Sequence, residues 1–296
     1  MSRVAVIVPV RNAVGTIEST LAELAPQCRR AGAEIVVAVS RDDPTVDLLR
    51  RLAPSGIRLI VTADRRSVPG LRSEAVFSSQ SEFVIITEDH CLFPDRWIDG
   101  LVEAASRDGV EVSGGGVENG RGGYSGWAQY FTRYASFMPP LPGGPTTALP
   151  GNNACYRRAV LEDRRDLIEE GFWEAEFNRV IADRRPFWLC GGLEVVQRQE
   201  RGLWEYAPLR YRHGRCYGAR RWRAAGGVER RNLMLRAPLI PLVLFARAAR
   251  AVFSRRRSRA RFVVCAPLLA LYFLAWGAGE IAGYLAGAGG SCRDTD

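Results

Sequence analysis

Apolar residues in the first third of the chain come in short unbroken runs. Residues 4–10 (VAVIVPV), 35–39 (IVVAV), 58–61 (RLIV) and 83–87 (FVIIT) are rich in Val and Ile. Runs of this length suit strands buried on both faces of a parallel sheet. Between them the apolar positions return at helical spacing: Ile17, Leu21 and Leu24, then Leu48, Leu49 and Leu52, then Leu71, Ala75 and Val76, then Trp97, Ile98, Leu101 and Val102. Asp43 and Pro44 are expected to open the second helix, as N-cap and first helical residue. Pro69 is expected to start the third helix and Asp95 to cap the fourth. The order β-α-β-α-β-α-β predicts an α/β fold with a mostly parallel, twisted sheet and helices on both faces. Ligands bind such sheets at the carboxyl ends of the strands. Glu88, Asp89 and His90, which leave the fourth run, are therefore the first residues to examine.

The pattern then loosens. Residues 113–150 are rich in Gly and Pro and read as loop, interrupted by an aromatic segment with Trp127, Tyr130, Phe131 and Tyr134. These aromatics are expected to pack rather than to form a binding platform. A second compact segment follows, to about residue 232. The C-terminus differs again. Residues 237–246 are apolar but number ten, and residues 262–279 form 18 uncharged positions. A span needs about 20 residues to cross about 30 Å. The first stretch is read as interfacial and the second as a membrane-inserted or spanning helix. This gives a catalytic domain over 1–232 (halves 1–112 and 113–232), an interfacial basic segment over 233–261, and C-terminal hydrophobic helices ending with an inserted one over 262–287. An interfacial first stretch keeps Arg255, Arg256, Arg257, Arg259 and Arg261 on the cytoplasmic side of a cell membrane, against anionic membrane lipids.

Composition sharpens this. All 41 basic residues are Arg, and the net charge is +9. Guanidinium stays charged and binds phosphate bidentately, so anionic partners are expected. The arginines gather beside an apolar C-terminus rather than on one amphipathic face, and no nucleic-acid motif occurs, so no nucleic acid partner is expected. The seven cysteines are scattered, odd in number and without a CxxC pair. A disulfide framework is therefore not expected, and some cysteines are read as small core residues.

Glu88 and His90 are two residues apart, so on an extended strand exit they face the same way. Carboxylate with imidazole suits a divalent metal, leaning to Mn²⁺ over Mg²⁺. Such an ion could neutralise a diphosphate.

Four segments together resemble family 2 glycosyltransferases of the GT-A fold: VAVIVPVRNAVGTIESTL (4–21), SEFVIITEDHCLFPDRWI (81–98), PGNNACYRRAVLE (150–162) and HGRCYGARR (213–221). The resemblance spans roughly residues 3–225. It implies a nucleoside-diphosphate sugar as donor and an acidic metal-binding motif after the fourth strand, which here reads Glu88, Asp89, His90, both outer positions being changed. It places Pro9, Arg11 and Asn12 against the nucleotide, Ser40 and Asp42 near the base, and Arg72 near a phosphate. It implies a catalytic base at a helix start, read as Glu174 with Glu176 as alternative. Without the resemblance, Glu174 reads as an acid favoured by the helix dipole. Gly151, Asn152 and Asn153 are read as acceptor-binding, with turn chemistry as the alternative. His213, Arg215, Arg220 and Arg221 form a cationic cluster, with Arg215 and Arg220 as phosphate ligands or part of a solvated helix face. The expected reaction is inverting transfer to a hydroxyl of a lipid-linked or cell-envelope glycan acceptor. The alternatives are a polyprenyl-phosphate acceptor and a non-catalytic protein that retains the fold.

Overall fold

The computed structural model describes residues 2–53, 56–199 and 201–293. Contacts group them into a sheet unit, residues up to 120 with 139–198, and a helical unit, residues 121–138 with 199 onward. These boundaries differ from those read in the sequence: residues 121–138 and 199–232, assigned there to the catalytic domain, fall in the helical unit.

The sheet unit begins with β1 (Val4–Val10), α1 (Ile17–Ala31), β2 (Glu34–Ser40), α2 (Val46–Leu52), β3 (Ile57–Thr62), α3 (Val68–Ser78) and β4 (Phe83–Ile86). It continues with β5 (Cys91–Leu92), α4 (Trp97–Ala105) and β6 (Val112–Asn119). Helix α5 (Gly123–Tyr134) belongs to the helical unit, and the chain then returns for β7 (Gly144–Thr146), β8 (Ala154–Arg157), α6 (Arg158–Asp163), α7 (Glu174–Ile181) and β9 (Phe187–Gln197). The strands lie in the order β3-β2-β1-β4-β8-β6-β9-β5, with β7 on β9. Strands β1 to β4 are mutually parallel, as the alternating pattern requires. Every residue of β1 and β4 is buried, so neither strand shows polar alternation.

Two helix starts differ from expectation. Helix α2 begins at Val46, after Thr45, and Asp43 instead accepts from the Thr45 and Asn12 backbone N–H groups. Helix α4 is preceded by Arg96 in a left-handed conformation, φ 58°, rather than by an Asp95 cap. In α3, Pro69 occupies the first turn and Ser67 is the N-cap, accepting from Gly70 N at 3.3 Å.

The stretch read as loop contains β6, which is paired to both β8 and β9. Its glycines are what close packing demands. A Cβ at Gly114 would come 2.5 Å from the Asn153 carbonyl oxygen, and one at Gly115 would overlap the Leu193 carbonyl oxygen. Composition alone gives such a strand the look of a turn.

The helical unit joins α5 to α8 (Leu203–Ala224), α9 (Gly227–Arg236), α10 (Ile240–Ser254) and α11 (Arg259–Ala286). Phe131 of α5 meets Phe262 of α11 edge-on at 5.3 Å, so the aromatic segment packs inward. Helices α8 and α11 approach through glycines. Gly214 and Gly218 face the Trp276 and Glu280 backbone, and Gly279 and Gly283 face the Tyr211 and Arg215 backbone, with no room for a Cβ. Small residues four apart on both helices permit this approach. Cys216 of α8 and Cys292 beyond α11 form a single disulfide rather than a framework. The pairing bridges 76 residues and depends on the α8–α11 contact, which the spacing of cysteines does not reveal. The other five cysteines are free and buried. Two helical runs, Gly227–Ser254 and Arg259–Ala286, are long and apolar enough to cross a membrane.

Candidate active site

Hydrogen bonds stitch together the loops at the carboxyl ends of β1, β2 and β4. The Arg11 N–H donates to Asp89 Oδ2 at 2.8 Å, and the Asn12 N–H donates to Asp43 Oδ2 at 2.9 Å. Asn12 itself is left-handed, φ 52°, which turns the chain sharply off β1. Ser40 at the end of β2 accepts from the Arg66 N–H at 2.9 Å. Pro9 is buried in β1, opposite Ala38 of β2, whereas Asp42 is exposed on the loop after β2. Ser40 and Asp89 thus shape the loops, and Asn12, Arg41 and Asp42 are exposed on them.

Below these loops lies a buried charged cluster. Glu88, Asp89, His90 and Arg72 are each less than a tenth exposed. His90 Nδ1 is 2.7 Å from Asp89 Oδ1, and His90 Nε2 is 3.1 Å from Glu88 Oε2. Arg72 of α3 donates to Glu88 Oε1 at 3.0 Å and forms a close ion pair with Glu174, the first residue of α7. Arg72 therefore bridges two carboxylates brought from distant parts of the chain. Glu174 rather than Glu176 makes this contact. Gly151 lies directly over Glu174: a Cβ there would come 2.6 Å from Glu174 Oε1. The absence of a side chain at Gly151 is what lets the Glu174 carboxylate pack against this backbone.

Burial pushes the His90 pKa down, but hydrogen bonds to Asp89 and Glu88 and their charges outweigh it, so the net direction is upward from its ordinary value. The imidazole thus lies between the Asp89 and Glu88 carboxylates, and Arg72 supplies a further cation to Glu88. Among the described residues no group of three or more His, Cys, Asp or Glu side chains converges in metal-binding geometry. What is present is a pair, Glu88 Oε2 and His90 Nε2, and that buried nitrogen makes no well-aligned hydrogen bond. A carboxylate oxygen and an imidazole nitrogen this close fit one divalent ion, with further ligands supplied by a substrate.

The three-residue segment Gly151–Asn153 divides in its contacts. The Asn153 amide is fully engaged inside the fold, accepting from Trp97 Nε1 at 2.8 Å and donating to the Gly116 and Leu193 carbonyls at 2.8 and 2.7 Å. These contacts lock β6, β9 and α4 together. Asn152 is also buried, with Cys91 Sγ at 3.7 Å. In the helical unit, Arg215 donates to the Gly287 carbonyl at 2.9 Å, and Arg220 is half-buried on α8. His213 does not add to a cationic cluster. Its burial, then the guanidiniums of Arg210, Arg133, Arg212 and Arg201, hold its pKa well below the usual value, so it is neutral. Arg66, whose backbone supports the β2 loop, was not singled out from the sequence, where nothing marks it.

The family model for Glycosyl transferase family 2 matches residues 5–165, more than half of the chain. The chain belongs to glycosyl transferase family 2. Solved structures agree on the fold. Mannosyltransferase PcManGT from Pyrobaculum calidifontis, in complex with GDP-Man and Mn²⁺, aligns with TM-score 0.60 at 18% identity over 94% of this chain and 87% of its own. Residues 1–349 of TarS from S. aureus, in complex with UDP-GlcNAc, give 0.53 at 15% identity over 95% and 91%. GalNAc-T7 with UDP, GalNAc and Mn²⁺ gives 0.51 at 16% identity over 68% and 44%. No curated protein sequence matches the chain. The family 2 glycosyltransferase fold of this chain is GT-A, as the four segments implied.

Proposed function

We propose that this family 2 glycosyltransferase moves a sugar, with inversion, from a nucleoside-diphosphate sugar to a hydroxyl of a lipid-linked or cell-envelope glycan. The observation that carries this reading is the Arg72 bridge, which puts a carboxylate–imidazole pair and a second carboxylate, Glu174, in one buried cluster. The relatives in fold hold GDP-Man and UDP-GlcNAc, which supports a nucleotide-sugar donor.

In this reading the loops carrying Pro9, Arg11, Asn12, Ser40 and Asp42 hold the nucleotide. Arg72 turns from the carboxylates to a phosphate oxygen, for which guanidinium is well shaped. Glu88 and His90 would hold a divalent ion, whose chemistry is to neutralise the diphosphate leaving group. The acceptor oxygen attacks the sugar carbon while the bond to the diphosphate breaks. Glu174, released by Arg72, takes the acceptor's proton on the face opposite the leaving group. Gly151, Asn152 and Asn153 lie beside Glu174 in this reading, on the side from which the acceptor is bound. Arg215 and Arg220 are not assigned to this step, since Arg215 braces the Gly287 carbonyl.

One observation favours a second reading. In the ligand-free cluster Glu174 is ion-paired to Arg72 and not free to meet an acceptor. A polyprenyl-phosphate acceptor is already an anion and needs no base. The exposed apolar face of the helical unit, including Leu242, Val264, Leu274 and Leu285, supports a membrane location for either acceptor.

Donor binding tests the proposal. Folded protein is screened by thermal shift against UDP-, GDP- and dTDP-sugars with Mn²⁺. One donor should stabilise by about 2.7 kcal/mol at a hundredfold excess over Kd, and His90→Ala should abolish the shift. If no donor gives any shift, the chain is a non-catalytic member of the family.

A further inference from the structure

The helical unit contains a cavity of about 630 Å³ lined by none of the residues of the charged cluster. Its apolar wall comes from Leu233, Leu239, Ile240, Val243 and Leu244. One polar side is closed: Glu280 is 2% exposed, accepts from Trp276 Nε1 at 3.0 Å and from the Tyr284 hydroxyl, and lies 3.5 Å from Arg221 Nη1. That carboxylate is satisfied.

Arg236 and Arg247 are different. They are eleven residues apart, three helical turns, and both line the cavity. Among the described residues no ion pair, hydrogen bond or aromatic ring engages either guanidinium, and both are exposed. Glu229 is the one other acid on the lining, so two uncommitted guanidiniums face one carboxylate. Such a site attracts an anion, and guanidinium is shaped for phosphate. A free phosphate would fill little of the volume and gain nothing from five aliphatic side chains. A phosphate carrying an alkyl chain uses both halves of the site. The rim also carries exposed apolar residues, Leu239 at 54% and Val243 at 42%, with Leu242 beside them at 66%.

We propose that this cavity binds a membrane lipid with an exposed phosphate headgroup. The phosphate pairs with Arg236 or Arg247, which stand about 16 Å apart at the two ends of the strip, and the start of the chain runs along Ile240, Val243 and Leu244 between them. The site is independent of the transfer reaction and draws on the membrane reading only for the source of the lipid.

The test uses the full chain in uncharged detergent micelles doped with dioleoyl phosphatidic acid. Lipid adducts are followed by native mass spectrometry, and folding by the melting temperature without lipid. Saturable binding is expected, with phosphatidylcholine of the same chains at least tenfold weaker. Arg236→Gln with Arg247→Gln should weaken phosphatidic acid binding at least tenfold at an unchanged melting temperature. Val243→Asn should weaken it less. The proposal is overturned if wild type takes up no phosphatidic acid, if the double variant binds it as tightly, or if phosphatidylcholine binds equally well. Displacement by inorganic phosphate at matching concentration also overturns it, since the site would then serve a soluble anion. None of these readouts depends on the donor, so the two proposals fail separately.

Discussion

The two units of the chain place their charges in opposite ways. In the sheet unit, Glu88, Asp89, His90, Arg72 and Glu174 are gathered inside and paired with one another. In the helical unit most arginines lie at the surface, and the tightest contact is made by glycines with no polar group at all. A buried charge is tolerated only when its partners are fixed, because desolvation costs more than one weak pairing returns. The sheet can fix such partners because three strand ends and two helix starts converge on one place. The helices converge on one buried carboxylate, Glu280, and leave most of their other charges at the surface, suited to a large, soft partner.

Substitutions can break this contrast, and the largest expected effect is at Glu174. If it is the base, Glu174→Gln lowers kcat by about 10²–10⁴-fold while the donor-induced thermal shift persists. Steady-state kinetics with donor and acceptor measure this, and unchanged kcat would move the reading to a phosphate acceptor. Next is the disulfide. Cys216→Ala should cost about 2–4 kcal/mol under oxidising conditions, read by denaturant unfolding, and have no effect under reducing ones. A smaller loss is expected at the glycine contact. Gly279→Ala sets a methyl group against the Tyr211 carbonyl, and overpacking of this kind costs about 1–3 kcal/mol. Hydrogen exchange should place the loosening in α8 and α11, with β1 to β4 still protected.

The smallest effect is one of pH. The His90 pKa is raised in the folded chain above its ordinary 6.5. Its protonated form therefore contributes stability that is whole below the ordinary value and lost as pH rises through the raised one. The melting temperature of metal-free wild type, minus that of His90→Gln, should shrink over that window. Mn²⁺ binding, which needs the neutral imidazole, should strengthen over the same range. A difference flat from about pH 6 to about pH 9 would show that His90 does not titrate between the two carboxylates.

The parallel half of the sheet was legible because β1 to β4 are buried on both faces and leave unbroken Val and Ile runs. Strand β6 was not, because its glycines answer to the Asn153 and Leu193 backbone, which no local pattern displays. Glu88 and His90 could be singled out together on the expectation of an extended strand exit. The chain instead turns there, the Cys91 N–H donating to the Glu88 carbonyl at 3.3 Å, and the turn brings the two side chains together. The preference of Glu174 over Glu176 rested on resemblance, and the contact with Arg72 came only from the folding of α3 against α7. The three partners of the Asn153 amide lie on α4, in β6 and in β9, and no local pattern announces them. Periodicity and strand exits are properties of neighbouring residues, so the amino-acid order alone determined the α/β layout, the apolar C-terminal helices and the position of the strand-four site. The Arg72 bridge, the Cys216–Cys292 link, the glycine seam and the cavity with two open arginines join residues far apart in the chain. Tertiary structure decided these, because only packing determines which distant side chains meet and which are left facing outward.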